Sequence, residues 1–210
     1  MKQLWHKKMM IRVLFILLIG CTVCGCFEVK PPQTKALVYS EARKLKPFVL
    51  EDQNGKKITN EALKGQWNLL FLGYTHCPDI CPLTLAKLSQ IYKSVATEHT
   101  LKVWFISVDP ARDLVDKRKQ YIEYFNSDFI GATGSHIQLF PFVRDLGLIY
   151  AITDGEMGQE YAVDHSASIA LVDSEGKLRA IFKPEFVKGQ PPLINTEQLI
   201  TDFKLVAEYY

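Results

Sequence analysis

One ten-residue block constrains this chain more than any other stretch: Gly73-Tyr74-Thr75-His76-Cys77-Pro78-Asp79-Ile80-Cys81-Pro82. It follows a short apolar run, Trp67 to Leu72, that reads as a buried strand. It precedes Leu85, Leu88, Ile91 and Val95, which fall at helical spacing over residues 82–97. A strand passing through a short loop into a helix is the repeating unit of an α/β sheet, and ligand sites in such sheets gather at the carboxyl ends of strands. Pro82 limits where the helix can begin. Deep inside a helix its ring would clash with the carbonyl of Pro78, so the helix is expected to start near Cys81 with Pro82 in its first turn. Cys77 then sits in the loop just before it. Both sulfurs lie near a helix N-terminus, where the positive dipole end favours the thiolate, the form that binds metal or attacks a disulfide. Residues four apart in one helical turn share a face, so the two sulfurs can converge, and their Cα separation suits a disulfide.

The rest of the chain repeats this alternation. Phe48-Val49-Leu50 and Lys57-Ile58-Thr59 flank Asn54-Gly55, a hairpin signal. Leu101 to Val108 reads as a second buried strand, closed by Asp109-Pro110. Residues 114–125 read as a helix, Phe129-Ile130-Gly131 as a short strand and residues 136–147 as a helix ending at Gly147. Ser168–Val172 and Lys177–Phe182 form a hairpin around Asp173-Ser174-Glu175-Gly176, and residues 195–209 are a closing amphipathic helix. The expected fold is α/β, with a central mixed sheet flanked by helices and an N-terminal hairpin extension. Asp113 is expected to do no more than cap the helix that follows it.

Residues 1–26 do not belong to that fold. Lys2, Lys7, Lys8 and Arg12 precede or interrupt an apolar stretch, Val13 to Ile19, too short to span a bilayer comfortably. Leu18-Ile19-Gly20-Cys21 resembles a bacterial lipobox, and Val23-Cys24-Gly25-Cys26 is a second candidate. Lipidation at Cys21 or Cys26 and an uncleaved anchor are the open alternatives. Residues 27–46, with Pro31-Pro32 and no clear periodicity, read as a tether, leaving 47–210 as the domain. The whole chain carries a formal charge of +2, but without residues 1–26 it holds 21 basic and 23 acidic residues. The positive charge sits in the export segment, so no electrostatic case for nucleic acid remains. The 48% hydrophobic content excludes a chain disordered throughout, and five Cys are too few for a disulfide scaffold.

A second chemical feature is Val163-Asp164-His165-Ser166-Ala167, just before the closing hairpin. Two soft thiolates and one imidazole make a three-ligand set suited to copper, whereas structural zinc usually takes four protein ligands. His76 is adjacent to Cys77, so its side chain should diverge from that sulfur. Asp164 could orient the imidazole of His165. Taken singly, His165 reads, like His6, His76, His99 and His136, as an ordinary surface or core histidine.

Three segments together carry a family resemblance: Thr75-His76-Cys77-Pro78-Asp79-Ile80-Cys81-Pro82, Ser107-Val108-Asp109-Pro110-Ala111-Arg112-Asp113, and Val163-Asp164-His165-Ser166. Over roughly residues 45–208 the chain resembles the Sco family (also called SenC or PrrC), membrane-tethered copper proteins of thioredoxin-like fold. The resemblance implies one copper, as Cu(I) or Cu(II), on Cys77, Cys81 and His165. It implies a partner too: cytochrome c oxidase subunit II, whose CuA site would receive copper or have its cysteines reduced, with a copper donor protein upstream. The implied location is the outer, periplasmic face of a bacterial cell membrane. The implied role is that of a metallochaperone more than of a catalyst.

Two enzyme readings compete. A thiol–disulfide oxidoreductase would use Cys77 and Cys81 as a redox pair. Thioredoxin-type motifs, however, place two residues between the Cys where this chain has three, and they set a Pro where this chain has Ser166-Ala167. A peroxiredoxin-like peroxidase wants a Pro several residues upstream of the nucleophile, and none precedes Cys77 closely.

Overall fold

The computed structural model describes residues 31–153 and 161–210. Residues 1–26, read above as an export segment with Cys21 and Cys26 as lipidation candidates, lie outside the described residues. The central strands form where the sequence is continuously apolar. β4 (Trp67–Gly73) and β5 (Leu101–Ser107) are buried on both faces and run parallel in register from Trp67↔Leu101 to Gly73↔Ser107, as expected of strands covered on both sides. Side chains alternate across this sheet. Leu70, Leu72, Trp104 and Ile106 join one core, and Leu69, Phe71, Val103 and Phe105 join the other. β6 (Ile130–Ala132) adds in parallel beyond β5. On the other side of β4, β9 (Ile169–Val172) and β10 (Lys177–Phe182) pair antiparallel.

The helices cover both faces. α1 (Ile80–Val95) and α4 (Thr196–Tyr209) bury Leu85, Leu88, Phe203 and Val206 in the core that holds Phe71 and Phe105. α2 (Val115–Phe125) joins that core through Ile122. α3 (His136–Asp145) packs Leu139, Phe142 and Val143 on the opposite face. This is the mixed sheet flanked by helices that the strand–helix alternation predicts. The hairpin of β2 (Val49–Glu51) and β3 (Lys57–Thr59) precedes it as a separate two-stranded unit. Among the described residues no helix is long and apolar enough to cross a membrane.

The structure differs from the sequence-based expectation in two places. Part of the expected tether is a strand: β1 (Leu37–Lys44) pairs antiparallel with β10 and completes a six-stranded sheet in the order β1-β10-β9-β4-β5-β6. As an edge strand it gets its order from its neighbour's hydrogen bonds, so its own sequence needs no clean hydrophobic alternation. The second difference lies before the closing hairpin. β7 (Tyr150–Thr153) and β8 (Ala162–His165) form a small antiparallel ribbon of their own, and this ribbon carries His165.

Candidate metal centre

β4 ends at Gly73, and the chain then turns through residues 74–79 into α1, which begins at Ile80. Cys81 is thus the second helical residue and Pro82 the third, one residue from the expected start. The residue before the helix, Asp79, makes no side-chain cap. Instead the backbone N–H of Cys81 donates to the sulfur of Cys77 at 3.4 Å. A thiolate therefore takes one of the N–H groups that a helix start leaves unpaired. Cys81 is fully buried in the core beneath α1, Cys77 is half-buried, and neither forms a disulfide.

His165 reaches this pair from the other side of the loop. Its Nε2 lies 3.4 Å from the Cys81 sulfur, and one ligand atom from each of Cys77, Cys81 and His165 lies within 4.8 Å of the others. The Nδ1 of His165 faces the carbonyl oxygen of Ser166 at 3.1 Å. A carbonyl can only accept, so Nδ1 donates to it, and Nε2 is the ring atom aimed at the sulfurs. This backbone contact takes the orienting role expected of Asp164, whose side chain is exposed. The rings of Phe71 and Tyr74 stand edge-on to the imidazole, 5.8 and 6.1 Å from its centroid.

The two thiols are unlike. Cys77 is held well below the usual thiol range, first by a hydrogen bond from the Cys81 thiol and further by His165 and the backbone N–H of Cys81. Cys81 is pushed up, first because its proton is held against the Cys77 sulfur and then by burial. The metal-free pair thus shares one proton, with the negative charge on the more accessible sulfur.

His76 diverges from the pair as expected. It lies beside Lys117, whose Nζ is 2.6 Å from its Nε2, and its Nδ1 is 3.9 Å from Asp113. Asp113 is a correction: it does not cap α2, since the residue before that helix is Leu114. It is fully buried and accepts from the Thr75 N–H at 2.9 Å, the Thr75 hydroxyl at 2.6 Å and the Ser107 hydroxyl at 2.7 Å. A buried carboxylate is tolerated only when so satisfied. Here it ties the cysteine loop, two residues before Cys77, to the end of β5. Arg118, only 1% exposed, supports this from beneath: it donates to the carbonyls of Asp113, Gly131 and Asp52 and to the Glu51 carboxylate. The sequence signal that could have found this role is the Ser107–Asp113 segment itself, which belongs to the family pattern but carries no metal ligand.

In chemical terms, two thiolates and a neutral imidazole form a soft set with three protein ligands. That is one short of a closed zinc site and fits copper. Cys77 and His165 line a surface depression of about 220 Å³ with Tyr74, Pro78 and Val163, while Cys81 is fully buried, so the half-buried Cys77 is the sulfur open to solvent.

Comparison with known proteins places the chain in a family. The SCO1/SenC family model matches residues 38–198. A protein of Stutzerimonas stutzeri that carries the provisional name of copper-binding protein is 36% identical over 173 residues, covering 80% of this chain and 84% of that protein. The mitochondrial protein SCO2 of Saccharomyces cerevisiae is 39% identical over 134 residues, 62% of this chain but only 44% of that longer protein. Among solved structures, Arabidopsis thaliana ScoI with copper bound superposes with a TM-score of 0.67 at 31% identity, over 79% of this chain and 98% of that one. With the family pattern spanning the whole sheet and all three converging side chains, the chain belongs to the SCO1/SenC family.

Proposed function

We propose that this chain is a membrane-tethered copper protein that binds one copper through Cys77, Cys81 and His165. It then delivers the metal to the CuA site of cytochrome c oxidase subunit II or reduces the cysteines of that site. The observation that carries the reading is the approach of His165 Nε2 to the Cys81 sulfur from a separate ribbon, 84 residues along the chain. A dithiol that only exchanges disulfides has no use for a third convergent ligand. The copper-bound relative and the soft donor set support the metal. The accessible Cys77 suits hand-over, because an incoming partner thiolate can reach the copper before His165 and Cys81 release it.

The test is an anaerobic Cu(I) and Cu(II) titration of residues 27–210. One tight equivalent per chain is expected, and His165→Ala should weaken it and change the Cu(II) absorption spectrum. An unchanged spectrum would sink the His165 assignment. No tight site, with a pair that still cycles against other disulfides, would favour the oxidoreductase reading, which Cys77 supports by its accessible thiolate. Tethering rests on the basic-then-apolar start and the lipobox-like Leu18-Ile19-Gly20-Cys21. The intact mass of the chain recovered from membranes separates lipidation at Cys21, lipidation at Cys26 and an uncleaved start.

A further inference from the structure

The three ligands come from two separately built pieces. Cys77 and Cys81 sit on the loop and helix that follow β4, at the heart of the main sheet. His165 ends β8, which pairs with β7 and not with that sheet. The distance between imidazole and sulfurs therefore depends on what fastens the ribbon. At its His165 end the ribbon is fastened by packing against Phe71 and Tyr74, by the Ser166 N–H donating to the Ile149 carbonyl and by the run into β9 four residues on, and Val163 is buried in the core. At its other end, Tyr161 immediately precedes β8, and a polar cluster grips it.

Asp109, at the carboxyl end of β5, is 1% exposed. Its Oδ1 accepts from the Tyr161 hydroxyl at 2.6 Å, and its Oδ2 accepts from Nε of Arg112. Arg112 Nη1 donates in turn to the carbonyl of Tyr161 at 3.4 Å. The guanidinium lies over the Tyr161 ring at 4.0 Å and reaches towards the Tyr74 ring at 5.7 Å, a geometry that favours the cation. Tyr74 is the ring that stands against His165. Both routes from this cluster end on the imidazole: one runs through four residues of extended strand, about 13 Å, and the other through the Tyr74 ring.

We infer that Asp109, Arg112 and Tyr161 form a clamp that sets the position of His165 relative to the two sulfurs, and so act as positioning residues for the third ligand. The inference rests on the copper reading for its purpose but not for its geometry. A charged clamp does what apolar packing alone would not: the buried Asp109 carboxylate fixes direction as well as distance, because a misplaced Tyr161 leaves it short of a hydrogen bond. Supports of this kind typically matter by 10–100-fold in metal affinity.

The test uses Tyr161→Phe, which keeps the ring, and Arg112→Lys, which keeps the charge but loses the planar fork, each alone and combined with His165→Ala. In the metal-free reduced protein, the imidazole proton–carbon NMR signals of His165 should shift or broaden, while those of His99 and His136 hold. Copper affinity should fall about tenfold in the wild-type background and not at all in the His165→Ala background. Unmoved His165 signals, or an equal copper loss in both backgrounds, would overturn the clamp. A wild-type chain that takes up no copper would defeat the copper reading alone, and the metal-free ring signals would then decide the clamp by themselves.

Discussion

Replacing either Cys77 or Cys81 by Ser is expected to abolish tight copper binding, with the two variants differing in everything else. A serine hydroxyl is a hard ligand that stays protonated at neutral pH, so each change removes one of the two soft donors outright. Cys81 is buried against the core, and a hydroxyl there is a polar group in an apolar site. Cys81→Ser should therefore also cost about 1–3 kcal/mol of metal-free stability. Cys77 is half-buried, and Cys77→Ser should leave the metal-free fold close to wild type. The shared proton gives the wild type a signature of its own. Cys77, held low by the Cys81 thiol, is already a thiolate at neutral pH, while Cys81, held high, is not. Copper binding to both sulfurs then displaces about one proton instead of two. Protons compete with copper, so affinity should rise with pH by about tenfold per unit around neutrality and fall as the pH is lowered. Titration calorimetry in two buffers of different ionisation enthalpy counts the protons. Two released per copper would mean that Cys77 is an ordinary thiol and that the sharing is wrong.

Why the cysteine pair was legible and the third ligand was not follows from range. Strands β4 and β5 announce themselves by unbroken apolar runs, and Pro82 marks the helix start within a residue because proline is forbidden further in. Everything about the pair's placement is local. His165 is different: its strand β8 has four residues, and its partner β7 lies beyond an intervening segment with Gly155 and Gly158. A strand that short gives no periodicity to read. The residues themselves offered His165 only as one of several histidines, and the family resemblance singled it out. Asp113 failed for the same reason. A carboxylate before a helix reads as a cap, and what makes it a buried anchor is Thr75, 38 residues away. Sequence also pointed to Asp164 as the orienting group because it is the neighbouring acid. The structure uses the Ser166 carbonyl, a group that every residue has and no pattern reveals.

Gly73→Ala is the smallest change expected to disturb the site from beneath. Gly73 has an ordinary extended backbone, so conformational freedom is not why glycine stands there. Space is the reason. An added Cβ would lie 2.5 Å from Cε2 of Phe105 and 2.9 Å from the sulfur of Cys81. The backbone cannot retreat, because Gly73 is in register with Ser107 on β5 and its carbonyl accepts the N–H of Val108 at 2.9 Å. The Phe105 ring is fully buried and hemmed in, so part of the overlap must be relieved by moving Cys81. Overpacking of this kind costs about 1–3 kcal/mol, or roughly 3–10 °C in Tm for a domain of this size. Displacing a ligand sulfur should add a loss in copper affinity of about tenfold or more. The two causes separate in a second background. In Cys81→Ala the sulfur is gone and only Phe105 opposes the new methyl group, so Gly73→Ala should cost less Tm there than in wild type. Equal Tm losses in both backgrounds, or undiminished copper binding by Gly73→Ala, would show that the sulfur does not depend on the bare backbone at Gly73. The expected result would place the last residue of β4 among those that position copper, although it has no side chain with which to touch the metal.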